Sequence, residues 1–164
     1  MKKLIAIVMI LFLVCMLSSC NNTSDYIDYY KYIGCTFDEL VAAEGQPDDD
    51  FMYTYYRTAY GIDGATIKFS PSLSSYADSE DSESRNIIDH ISIEWHDIAS
   101  GKIDSTYKKI KKALTAMYGE STEETTCVSW ENGKITLWHN DSDEEEYIAV
   151  LIEQKELFTS SSAP

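Results

Sequence analysis

Apolar positions along this chain follow two alternating rhythms. Between residues 103 and 118, Ile103, Tyr107, Ile110, Leu114, Met117 and Tyr118 fall on one stripe of a helix, while Lys108, Lys109, Lys111 and Lys112 lie largely off it. The pattern predicts an amphipathic helix whose lysines face water. A shorter helix is predicted upstream, opening on Thr36-Phe37-Asp38-Glu39, where Thr36 and Glu39 have the spacing of a capping box. Both helices run into the pattern L-x-A-x-x-G, at Leu40, Ala42 and Gly45 and again at Leu114, Ala116 and Gly119. Glycine takes the left-handed backbone that ends helices at little cost.

After each glycine come three strand-like runs. In the first half these are residues 51–58, 65–69 and 87–96; in the second, 125–130, 134–139 and 147–154. Asn132-Gly133 carries the signal of a two-residue hairpin, and Gly61 to Gly64 a looser version of it. The order predicts an α+β fold of two tandem repeats, over 33–98 and 99–157. Each repeat is a helix plus a three-stranded antiparallel meander, with the helices packed on one face of the sheet.

Residues 1–19 follow a different pattern. Lys2 and Lys3 precede an uncharged apolar run from Leu4 to Leu17, and small residues follow, which is the order of a secretory signal. The run is shorter than the roughly 20 apolar residues of a comfortable membrane span. Leu17-Ser18-Ser19-Cys20 resembles the lipobox of bacterial lipoproteins, in which the thiol is acylated before the leader is cut. That resemblance implies that Cys20 is the lipidation site and the first residue of the mature chain. It implies a protein held to the cell membrane by its N-terminal lipid, on the extracytoplasmic face, or in the periplasm of a Gram-negative cell. Residues 20–32 then form the lipidated N-terminus and tether, and 158–164 a flexible tail.

A second resemblance rests on Thr36-Phe37-Asp38-Glu39-Leu40 through Gly45-Gln46-Pro47, with the second glycine at Gly119. A short capped helix ending in G-x-P before a three-stranded meander resembles the SmpA/OmlA group of outer-membrane assembly lipoproteins. Its tandem duplication resembles the beta-lactamase inhibitor protein fold. The second copy has Glu120-Ser121 where the first has Gln46-Pro47.

Charge narrows the partners. The 164-residue chain carries 13 basic and 28 acidic residues. Lys2 and Lys3 leave with the leader, so eleven basic residues face the 28 acidic ones and the net charge becomes −17. Such a chain repels nucleic acid and anionic headgroups. Two cysteines, Cys35 and Cys127, remain beyond Cys20, and in an oxidising compartment an even pair is a disulfide candidate.

No nucleophile-elbow, zincin, dithiol or phosphate-loop motif is present in the sequence, which points away from an enzyme and from a bound cofactor. His90, Glu94 and His96 share one strand face by parity, but His90 and His96 would sit about 20 Å apart, too far to hold one metal. The acidic run 140–146 lacks the glycine and distal glutamate of a calcium-binding hand loop. Aromatic residues give the stronger signal. Ile91, Ile93 and Trp95 oppose Ser92, Glu94 and His96, and Ile135 and Leu137 oppose Thr136 and Trp138. Tyr53 and Tyr55 fall on one face of the first strand and Tyr56 on the other. The partner-binding candidates are therefore Tyr53, Tyr55, His96 and Trp138, on an open sheet face suited to a protein partner. The expected function is a non-catalytic protein-binding lipoprotein; the alternative is a receptor for a small ligand or cell-wall fragment in a pocket between the repeats.

Overall fold

The computed structural model describes residues 26–71, 86–99, 101–141 and 145–154. The expected leader over 1–19, Cys20 and the expected tail over 158–164 lie outside the described residues. A 3-10 turn, Tyr29–Tyr32, leads into helix α1, Phe37–Glu44, and strands β1, Thr54–Ala59, β2, Ile62–Ser70, and β3, His90–Trp95. Helix α2, Ile103–Tyr118, follows, then β4, Thr122–Glu123, β5, Cys127–Trp130, β6, Ile135–Asp141, and β7, Glu146–Glu153.

The helix ends obey the local signals. In α1 the Thr36 backbone N–H donates to Glu39 Oε2 at 2.8 Å and the Glu39 N–H donates to Thr36 Oγ1 at 3.2 Å, a complete capping box. Gly45 and Gly119 close the two helices at φ 86° and 84°, where a side chain would strain the backbone. On α2 the stripe buries Ile110 and Leu114 completely and Ile103 nearly so, while Tyr107, Met117 and Tyr118 are partly covered.

The expectation of two tandem repeats is overturned. The seven strands among the described residues form one antiparallel sheet in the order β1-β2-β3-β7-β6-β5-β4. Strand β7, the last among the described residues, lies at the centre of the sheet, where it pairs β3 with Ile93 opposite Val150 and Trp95 opposite Ile148. The second half contributes four strands rather than three, and both halves share a single core. The physical reason is burial: Ile91 and Ile93 would form an exposed apolar margin on a three-stranded meander, and joining β7 covers them on both sides.

One row across the sheet shows how the core is built. Tyr55, Ile67, Ile93, Val150, Leu137 and Val128 lie opposite one another through successive strands, and all are buried. A parallel row adds Phe69, Ile91, Ile152 and Ile135. Phe37 and Leu40 of α1, Ile110, Ala113 and Leu114 of α2, and Tyr29 and Tyr32 of the 3-10 turn complete the cluster.

Element boundaries differ from expectation at β1. The strand starts at Thr54, not residue 51, because Met52 and Tyr53 take positive φ of 53° and 40° and turn the chain. That turn folds back on β1's outer side. The Asp48 N–H donates to the Thr54 carbonyl at 2.8 Å, the Thr54 N–H to the Asp49 carbonyl at 2.9 Å, and the Tyr56 N–H to Asp48 Oδ2 at 2.8 Å. At the opposite margin β4 has only two residues.

Candidate functional site

The face of the sheet opposite the core carries its own register row: Tyr56, Thr66, Glu94, Ala149, Trp138 and Cys127. Tyr56 is 60% exposed and Trp138 47%. Four strand spacings separate their backbones, about 19 Å. Glu94 lies midway between them.

Around Glu94 the polar side chains are tied together. Lys68 Nζ lies 2.8 Å from Glu94 Oε2, Ser92 Oγ donates to Glu94 Oε1 at 2.6 Å, and His96 Nε2 lies 2.9 Å from Oε2. The other ring nitrogen of His96, Nδ1, sits 2.7 Å from Glu145 Oε1, and the ring stacks on Tyr147 with centroids 5.0 Å apart. Partial burial works against the charge on Glu94, but hydrogen bonds from Lys68, Ser92 and His96 outweigh it and hold the carboxyl at about 2, down from 4.5. Burial likewise lowers the His96 pKa, and the carboxylates of Glu94 and Glu145 more than offset it, raising it above 6.5. The cluster is a network of charged and polar side chains joined by short hydrogen bonds on the open face. Among the described residues no three His, Cys, Asp or Glu side chains are placed to hold a metal ion.

The sequence-derived candidates divide. Trp138 and His96 both stand on the open face. Tyr55 does not: it is 2% exposed, packs edge-on to Phe69 at 5.7 Å and donates its hydroxyl to the Gly45 carbonyl at 3.0 Å. Tyr53 is also displaced, turned by its left-handed backbone so that its ring stacks on Phe37 at 4.2 Å. It lines a cleft of about 290 Å3 with Asp38, Val41, Gln46, Pro47 and Asp50. The residue the parity argument passed over is Tyr56. Its neighbours gave no clear signal, since Thr54 and Thr58 share its face while Arg57 and Ala59 share that of Tyr55.

Cys35 and Cys127 are free thiols that the fold does not join. Cys35 precedes α1 and donates to the Lys31 carbonyl at 3.5 Å; Cys127 opens β5 beside Glu124, 3.7 Å away. Burial and the Glu124 carboxylate push the Cys127 thiol above its ordinary 9.0.

Compared with known families, with curated proteins and with solved structures, the chain matches none.

Proposed function

We propose that this protein is a lipid-anchored extracytoplasmic lipoprotein that works as a non-catalytic protein-binding module, in an assembly, inhibitory or tethering role, through the open face of its sheet. The observation that carries the reading is the pair of large aromatic side chains, Tyr56 and Trp138, exposed on one row of a hydrogen-bonded sheet. Such side chains give wide, rigid contact area with a polar tip, and little ordering entropy is lost when they are covered. The −17 charge beyond the leader disfavours nucleic acid. The lipobox-like Leu17-Ser18-Ser19-Cys20 supports attachment to a membrane through Cys20.

A second reading, binding of a small ligand or cell-wall fragment, is favoured by the cleft beside Tyr53, Asp38 and Asp50. It lies at the corner between α1 and β1, not between two repeats.

The test is crosslinking in intact envelopes with the full-length protein, beside a Trp138→Ala, Tyr56→Ala double variant. A partner captured by the native chain and lost from the folded variant is the expected result. Equal capture by both, or capture by neither, overturns the open face as the site and moves attention to the cleft.

A further inference from the structure

The cleft at the corner between α1 and β1 has walls from two elements. Asp38 and Val41 stand three residues apart on α1, where helical spacing puts them on the same side. Gln46, Pro47, Asp50 and Tyr53 belong to the loop that leads into β1. Val41, Pro47 and the Tyr53 ring supply apolar surface, the two aspartates supply charge, and none of the six residues is basic. The volume of about 290 Å3 lies at the lower end of ligand-sized pockets, which run from about 300 to 1,000 Å3.

The loop is held at several points. The Phe51 N–H donates to Asp49 Oδ1 at 2.8 Å, and Thr54 Oγ1 donates to the Phe51 carbonyl at 2.6 Å. The Phe69 N–H of β2 donates to the Met52 carbonyl at 2.9 Å, and the stack on Phe37 fixes the Tyr53 ring. A cleft with fixed walls loses little freedom when it is filled. Three aspartates follow one another in this loop, and they differ in what they do. Asp48 and Asp49 accept from the backbone N–H groups of Tyr56 and Phe51. Asp50 and, across the cleft, Asp38 have no hydrogen-bond or ion-pair partner among the described residues. The loop is thus built by two carboxylates, and two others are left facing the cleft.

We infer that this cleft binds a ligand of amino-acid size that carries a primary ammonium group on an apolar stem, with the ammonium against Asp38 and Asp50 and the stem along Val41, Pro47 and Tyr53. An ammonium has three N–H donors and no acceptor, which suits a site whose charged groups only accept. The face of a tyrosine ring attracts a cation, and the aliphatic stem covers the apolar lining. The −17 charge beyond the leader draws cations toward the molecule and turns anions away. The inference rests on the small-ligand reading of the cleft and adds the chemistry of the ligand; it does not depend on what the open face binds.

The experiment titrates the full-length, isotope-labelled protein with Nα-acetyl-lysine N-methylamide and, separately, with Nα-acetyl-norleucine N-methylamide, which keeps the stem and lacks the ammonium. Amide resonances of Asp38, Val41, Gln46, Asp50 and Tyr53 are followed. The lysine probe is expected to shift them saturably in the millimolar range, and the norleucine probe to bind about tenfold more weakly. Asp38→Asn and Asp50→Asn should each weaken the lysine probe about threefold, and added salt should weaken it further. Glu120→Gln, an acidic position away from the cleft, should leave it unchanged. Equal binding of the two probes at the cleft overturns the ammonium and leaves the small-ligand reading standing. Failure of both probes to shift these amides overturns the two together. Shifts spread over the acidic surface and indifferent to Asp38→Asn and Asp50→Asn overturn the site, since net charge alone produces them. The comparison of probes is made on the native chain and holds whatever the variants do to folding.

Discussion

Arg57 grips Glu44 twice: one guanidinium nitrogen lies 2.6 Å from Glu44 Oε2 and the other donates to the Glu44 backbone carbonyl at 2.7 Å. The same guanidinium lies over the Tyr55 ring, 4.6 Å from its centroid, and Tyr32 donates its hydroxyl to the Glu44 carboxylate. This contact pins the last turn of α1 to β1. Arg57→Met is expected to destabilise the fold by about 1.5–3 kcal/mol, the usual range for hydrogen bonds to a charged partner. Arg57→Lys should recover only part of that, because an ammonium cannot present two planar donors. Urea unfolding of the three chains checks the order.

Adjacent tyrosines in β1 should behave oppositely. Tyr55→Ala empties a buried site against Phe69 and Ile67's row and is expected to cost about 3–5 kcal/mol. Tyr56→Ala removes a side chain from solvent and should stay within about 0.5 kcal/mol. Chemical denaturation distinguishes the two, and equal costs would contradict the face assignment.

Stability in acid should carry the signature of Glu94. Its folded-state pKa is depressed from 4.5 to about 2, so its contribution is present above 4.5 and is lost as pH falls toward 2. The native chain should therefore be more stable than Glu94→Gln near pH 6, with the gap closing between pH 4.5 and 2. Thermal melts across that range measure it; a gap that stays constant would show that Glu94 is not the titrating group.

Trp138 supplies a built-in optical reporter. Trp95 and Trp130 are buried, so Trp138 is the one exposed tryptophan of the three. Acrylamide should quench a distinct fraction of the emission in the native chain, and most of that fraction should disappear in Trp138→Phe. Unchanged quenching would place the indole inside.

Features set by neighbours in sequence were legible before the fold was known. The capping box at Thr36 and Glu39, the glycine stops at Gly45 and Gly119, and the α2 stripe each depend on residues a few positions apart. Pairing between β3 and β7 was not legible, since Ile93 and Val150 are 57 residues apart and nothing local records which strand covers which. Tyr55 and Tyr56 were confused for a related reason. Parity separates two faces of a strand but does not name the buried one, and with tyrosine on both, hydrophobicity offered no vote. The left-handed turn at Met52 and Tyr53 contains no glycine to announce it.

The margins of the sheet bear on how copies of this protein coexist. Lipid anchoring, as proposed, would confine them to a plane and bring neighbours into frequent lateral collision, the situation in which unpaired backbone recruits more backbone and ribbons grow. Here Asp48 and Asp49 already occupy the side of β1 at Thr54 and Tyr56, and the far side ends on a two-residue strand. Backbone pairing between neighbouring copies is therefore disfavoured at both margins, one lined by Asp48 and Asp49 and the other only two residues long.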